Sequence, residues 1–421
     1  MQTEKASLQD LQNIVGENNV HEATAEDGVG GVTPSLVVEP GSVEEISAVM
    51  KLASREGLAV CPRGGGTKTD LGAPPRSLDL VIDLGRMDEI IEHVPGDQVV
   101  RVQAGVKLEV LQEKLAEADQ MLALDPPERG ATVGGVVAAN ASGPRRFRYG
   151  TVRDLIIGVT VVLADGTVAK AGGKVVKNVA GYDLGKLFTG SLGTLGVIAD
   201  CNFRLHPRPD SARTMAVEVD TPPAARDAAQ AIVHSQVEAT AIELHWDGET
   251  KLVSVLLESI PGGIEAKEER ARLLLEPFGE VRTLTDEEGD NLGPLDPPPA
   301  GDAVAVKISA PPAELAAALE SVLDAAGRRN VDARFTGHAG TGVTFAGLSG
   351  EEGALVEVVQ EVRDIWTRRG GSVVVRSAPP SFKEKLDVWG PAGDYGGLLR
   401  RVKEKFDPGY AMNPGRFVGG L

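Results

Sequence analysis

Hydrophobic and polar positions set out the first clear element after residue 41. Ser42 and Glu45 stand three apart as a helix-start capping box, and Val43, Ile46, Val49, Met50 and Ala53 follow at helical spacing up to Gly57. Residues 58–61 then read as a short strand cut by Pro62. Leu78, Leu80, Ile82 and Leu84 alternate with Asp79, Val81 and Asp83, a strand with one mixed face. A strand at 99–102 precedes a helix marked by Leu108, Leu111 and Leu115. The β-rich run 155–163 is turned by Asp165-Gly166, a hairpin signal. Val197, Ala199, Cys201, Phe203 and Leu205 alternate again before Pro207. Helices and strands are thus mixed, an α+β pattern.

Beyond Pro207 the glycine-rich character stops. Residues 223–235 and 264–277 read as helices, and 241–244 and 252–257 as strands. Residues 285–302, rich in Asp, Glu, Gly and Pro, read as an acidic surface loop. Helices are expected at 313–326 and 354–368, the latter with Leu355, Val358, Val362 and Ile365 on one face. The expected division is an N-terminal extension (1–33), a first domain (34–207), a second α+β domain (208–375) and a C-terminal segment (376–421).

The chain has 421 residues, enough for two or three domains, and a formal net charge of −18. That balance excludes a nucleic-acid-binding surface, which needs clustered Lys and Arg. Two cysteines, Cys61 and Cys201, build neither a disulfide framework nor a four-cysteine metal site. No run of 18 uncharged apolar residues occurs, so no membrane span is expected. The expected location is the cytoplasm, with any membrane association made through partner subunits. The 51 glycines exceed the 16 aromatics several-fold, and glycine lets backbone come close to a ligand.

The glycines gather in three places. Arg63-Gly64-Gly65-Gly66-Thr67-Lys68 follows a strand, so its backbone N–H groups can converge as an anion nest; a flexible surface turn is the plainer reading. Residues 131–143 combine Thr132, Val133, Gly134, Gly135, Ala138, Asn140, Ala141, Ser142 and Gly143, suited to lying against a flat ring and a phosphate, or to a tightly packed small-residue helix. This second stretch runs on through Arg153 and Asp154. The third passes from Asn178 to Asp183 and then through Gly190, Gly193, Leu195, Gly196, Val197 and Ile198. Neither a Walker A loop nor a strand–turn–helix G-x-G-x-x-G is present.

Taken in order, the three stretches resemble the FAD-binding domain of the vanillyl-alcohol-oxidase superfamily. Within it, the segment from Ser142-Gly-Pro-Arg-Arg to Lys177-Asn-Val-Ala-Gly-Tyr-Asp183 is similar to the E-type FAD-binding subunit of bacterial glycolate oxidase. The resemblance implies a two-lobed PCMH-type FAD-binding domain, a smaller α+β cap domain and a C-terminal segment returning to the first. It further implies non-covalent FAD, with Gly64 to Lys68 (flanked by Arg63) and Thr132 to Gly135 on the diphosphate. Asn140 to Gly143 fall near the flavin ring, and Gly193 to Ile198 on the adenine and ribose side; Ala138, Arg153 and Asp154 are counted with the cofactor site.

Relatives acting on 2-hydroxy acids carry Gly-His-x-Gly-Asp-Gly-Asn and a later Glu-His-Gly, which supply metal-ligand and basic groups. Here the first reads Gly337-His338-Ala339-Gly340-Thr341-Gly342-Val343, and the second falls on Val375-Arg376-Ser377-Ala378. No metal site is therefore expected. His338 is a structural histidine or a polar group facing the flavin, and Arg376 is a candidate carboxylate clamp. The resemblance implies a flavoprotein subunit of a glycolate- or lactate-type oxidoreductase, beside a D-type FAD subunit and an iron–sulfur subunit.

Overall fold

The computed structural model describes residues 2–173, 181–292 and 303–421. Residues 177–180 of the third glycine-rich stretch and 293–302 of the acidic segment lie outside these. The chain divides into two compact units: Met1–Ser142, Thr151–Arg208 and Pro391–Leu421 form the first, Gly143–Gly150 and Pro209–Gly390 the second.

In the first unit, a four-stranded sheet runs in the order Val20–Glu22, Leu36–Val38, Leu80–Asp83, Val60–Arg63, with the last three strands parallel. Residues 1–33, set apart in sequence as an extension, supply helix Gln2–Val15 and the first of these strands. Helix Val43–Glu56 starts at Ser42, whose side chain accepts from Glu45 N. The Glu45 carboxylate takes the N–H of Gly41 at 2.7 Å, one residue earlier than a capping box places it. Pro62 lies inside strand Val60–Arg63 and does not end it. The strand sits at the sheet edge, where a residue without an N–H is tolerated.

A five-stranded antiparallel sheet completes this unit in the order Glu92–Val94, Val99–Gln103, Val197–Arg204, Ile156–Val162, Val168–Gly172. The Asp165-Gly166 turn joins its last two strands, as the hairpin signal predicts. Val100, Val102, Val161, Val197, Ala199 and Phe203 are its buried centre.

The second unit is an eight-stranded antiparallel sheet, ordered Val281–Leu284, Ser211–Glu218, Lys251–Ser259, Ala241–Trp246, Asp332–His338, Val343–Ser349, Ala303–Ser309, Ser372–Ser377. Helices Pro222–Val233, Pro261–Leu275, Leu315–Gly327 and Glu352–Arg368 pack on it. Period-two alternation gives the sheet two chemistries. Ile242, Leu244, Val253, Val255, Phe335, Ala346, Val306 and Ile308 form an apolar row. Glu243, Ser254, Glu258 and His338 alternate with them on the other face and are buried too. Within the acidic segment, Asp286–Asn291 is helical and not loop, begun by Thr285, whose amide and hydroxyl both donate to Glu288.

Candidate functional site

In the first unit, residues far apart in sequence line one cleft with about 890 Å³ of empty space, part of it open to solvent. Arg63 to Lys68, Thr132, Gly134, Gly135, Ala138, Ala141, Gly193, Gly196 and Ile198 are brought together there. Val133, Asn140, Ser142, Leu195 and Val197 lie beside the lining without joining it, and Gly143 belongs to the second unit. Arg153 and Asp154 sit in the short helix Val152–Leu155, where Asp154 caps Thr151 N at 2.8 Å. Sequence reasoning missed Cys61, Ala104, Glu128 and Leu192 on the wall, and it assigned Asn413 and Arg416, also on the wall, only to a C-terminal segment returning to this domain. For the last two the signal was the C-terminal Asn413-Pro414-Gly415-Arg416 run.

The glycines of the first loop are required by neighbouring backbone as well as by space for a ligand. A Cβ on Gly64 would lie 2.0 Å from Thr132 Oγ1, and one on Gly65 2.1 Å from the Gly130 carbonyl oxygen. Gly65 N donates to Thr132 Oγ1 at 3.3 Å. The N–H groups of Gly64, Gly66 and Thr67 have no protein acceptor among the described residues. Amides of this kind can donate to a bound anion. The cations beside them are already neutralised. Arg63 pairs with Asp83 at 2.8 Å and Asp27 at 3.0 Å, and Lys68 pairs with Glu128.

The second stretch takes the form of the tightly packed small-residue helix. Val133–Ala139 is a helix of small residues, capped by the Thr132 side chain, and one side of it lines the cleft. A Cβ on Gly134 would come 2.6 Å from that of Ala104, so the helix packs tightly on the antiparallel sheet. Asn140 ends it in the left-handed region at φ 47. Its last carbonyls are taken by the third stretch, Gly190 N donating to Val137 O and Leu192 N to Ala138 O. Leu192 is held at φ 51, a conformation an apolar side chain rarely adopts. Surrounding bonds over-determine it.

The C-terminal segment supplies one of those bonds. Asn413 Nδ2 donates to Leu192 O at 2.6 Å, and Asn413 N to Val60 O at 2.8 Å. Arg416 donates to the carbonyls of Thr69 and Leu71. Behind them Lys403, 1% exposed, donates to Thr194 O, Met412 O and the Asp407 carboxylate at 2.6–2.7 Å. Asp407 accepts in turn from Ala411 N and Met412 N. One buried ammonium therefore fastens the C-terminal segment to the third glycine stretch.

The second unit holds the candidate catalytic pair. His338 Nδ1 is 2.8 Å from Glu243 Oε2, and the two residues are directly paired across adjacent strands. Its ring meets Phe345 edge-on at 5.7 Å, and the Arg376 guanidinium lies 6.0 Å over the same ring. Burial first, then the charges of Arg146 and Lys307, push the His338 imidazole down to about 3. The ring is neutral. Among the described residues no three His, Cys, Asp or Glu side chains gather as metal ligands. Segment 143–150 docks on this polar face through Glu258, which meets Arg145 at 2.6 Å and the Tyr149 hydroxyl at 3.3 Å.

Residues 34–172 match the family model described as an FAD binding domain. They form an FAD binding domain. The cleft fits that cofactor: the Gly64, Gly66 and Thr67 amides and a buried Asn413 Oδ1 have no hydrogen-bond partner among the described residues. The glycolate oxidase subunit GlcD of Bacillus subtilis is 32% identical over 255 residues, covering 60% of this chain and 53% of that protein. A D-lactate dehydrogenase of Archaeoglobus fulgidus is 37% identical over 187 residues, 44% of this chain and 42% of its own. The chain thus matches about half the length of these relatives. Among solved structures, p-cresol methylhydroxylase shares the fold at a TM-score of 0.78 and 16% identity, over 98% of this chain and 96% of that one. An alkyldihydroxyacetonephosphate synthase does so at 0.74 and 18%, over 97% and 84%. The FAD binding domain therefore sits in a chain with the p-cresol methylhydroxylase type of fold. No helix among the described residues is long and apolar enough to cross a membrane.

Proposed function

We propose that this chain is the FAD-binding subunit of a 2-hydroxy-acid oxidoreductase complex, acting beside a D-type FAD subunit and an iron–sulfur subunit. The observation that carries the reading is the set of cleft-lining amides at Gly64, Gly66 and Thr67 with no acceptor among the described residues, in a chain whose relatives are a glycolate oxidase subunit and D-lactate dehydrogenases. Bound FAD supplies the two-electron acceptor. In this reading Gly64, Gly66 and Thr67 donate to the diphosphate, and Thr132 to Gly135 shape its wall. Ala138 and Ala141 lie against the flavin ring, while Gly193, Gly196 and Ile198 bound the adenine and ribose side. A second reading, a dehydrogenase active on its own, draws support from the buried Glu243–His338 pair.

The activity test is anaerobic mixing of the purified chain with glycolate or D-lactate. Slow flavin bleaching, unchanged by divalent cations, is the expected result. The sequence has lost Asp and Asn at 341 and 343 and the Glu-His pair at 376 and 377, and each missing electrostatic stabiliser costs about 100- to 1000-fold in rate. Rapid bleaching that His338→Ala abolishes would establish independent catalysis and overturn the partner-subunit reading.

The FAD is expected to dissociate. Residues 63–68 contain no His, and burial pushes the Cys61 thiol up, keeping the one sulfur on the cleft wall protonated and unreactive. Acid precipitation should leave the yellow colour in the supernatant; colour held in the pellet contradicts this.

A further inference from the structure

The polar face of the eight-stranded sheet is built by register. Glu243 pairs with His338, Thr336 pairs with Phe345, and Phe345 pairs with Lys307, so these side chains share one face. At the next strand the register slips: Ala305 pairs with Ser377 and Val306 with Val375, leaving Arg376 as the extra residue. Such a bulge re-aims a side chain, and here it puts the Arg376 guanidinium over Phe345. Arg146, from segment 143–150, and Lys307 act on His338 electrostatically. The charged groups that act on the imidazole are therefore Glu243, Arg146 and Lys307, with Arg376 over the neighbouring Phe345 ring.

His338 is 1% exposed, its ring plane set by Phe345 and its Nδ1 engaged by Glu243. An ionised carboxylate at 2.8 Å only accepts a hydrogen bond, so with Glu243 in that form the neutral ring carries its hydrogen on Nδ1. Nε2 is then a bare lone pair, buried and without a partner among the described residues. A buried acceptor left without a donor is destabilising, and a ligand hydroxyl supplies the donor. Arg146 and Lys307 give the ring a positive surrounding field, which favours a ligand that also carries a carboxylate. A hydroxyl beside a carboxylate defines the 2-hydroxy acids.

We propose that Glu243 is a positioning residue: it holds His338 in the Nδ1–H tautomer and thereby makes Nε2 a hydrogen-bond acceptor for the hydroxyl of a 2-hydroxy acid. This rests on the substrate class proposed above. It gives Glu243 a role that the sequence did not suggest, and it assigns the retained histidine a task that needs no metal ligand beside it.

The test uses the FAD-loaded chain and two readouts besides turnover. Imidazole 15N–1H correlation spectra, with His338 assigned through His338→Gln, report the tautomer. Calorimetry compares D-lactate with propionate, which lacks the hydroxyl. The wild type should show Nδ1–H and prefer D-lactate by about 10-fold. Glu243→Leu should move the proton to Nε2 and erase the preference. Glu243→Gln, which keeps an acceptor oxygen in place, should restore both. An Nε2–H wild type, or an intact preference in Glu243→Leu, overturns the role of Glu243. Failure of the wild type to bind D-lactate or glycolate at all sinks the substrate class instead, and the acceptor role with it.

Discussion

Gly65→Asp is expected to give a folded chain that holds no measurable FAD. The Cβ it introduces meets the Gly130 carbonyl at 2.1 Å, a backbone atom that cannot swing aside. The loop or residues 130–132 must then move, and forced overpacking of this kind costs about 1–3 kcal/mol. At 1.4 kcal/mol per decade, the upper figure alone weakens binding by about 100-fold. The carboxylate adds repulsion toward the diphosphate at the amides of Gly64, Gly66 and Thr67. Gly65→Ala separates the two effects, since it brings the clash without the charge. Visible absorbance of the purified variants reads the outcome, and wild-type flavin content in Gly65→Asp removes residues 64–68 from the site.

Lys403→Met should act just as strongly without touching the cofactor. It leaves the Asp407 carboxylate, 0% exposed, without its counter-ion, and frees the carbonyls of Thr194 and Met412. Breaking a buried pair from one side costs about 3–5 kcal/mol, so melting of the apoprotein should fall by roughly 10 °C. FAD affinity should fall with it, because the C-terminal segment carries Asn413 to the strained Leu192 carbonyl. Unchanged melting together with unchanged FAD content would show that the ammonium fastens nothing.

The difference between these two sites also explains what could be read along the chain. Gly64 to Gly66 stand next to each other after a strand, so a local rule finds them. Helix Val43–Glu56 and the hairpin at Asp165-Gly166 were legible for the same reason: cap, period and turn lie within a few residues. Pro62 misled because its tolerance depends on being at a sheet edge, which only pairing with Leu80–Asp83 decides. Leu192 gives no local sign of a left-handed backbone, since its partners are Ala138 and Asn413. Glu243 was invisible as a partner of His338, because the register that joins them spans 95 residues. Loss of the relatives' motif residues was visible at once, but what His338 does without them depends on that distant carboxylate.

The join between Val60 and Met412 carries a consequence for how the molecule is made. During synthesis the first glycine loop leaves the ribosome well ahead of its fastening: Arg416 follows its acceptor Leu71 by 345 residues. Until that segment emerges the edge of the parallel sheet is open, and Leu192 has no amide to hold its carbonyl. A chain cut before residue 403 keeps the first glycine loop and lacks every bond that Lys403, Asn413 and Arg416 make to the residues around it.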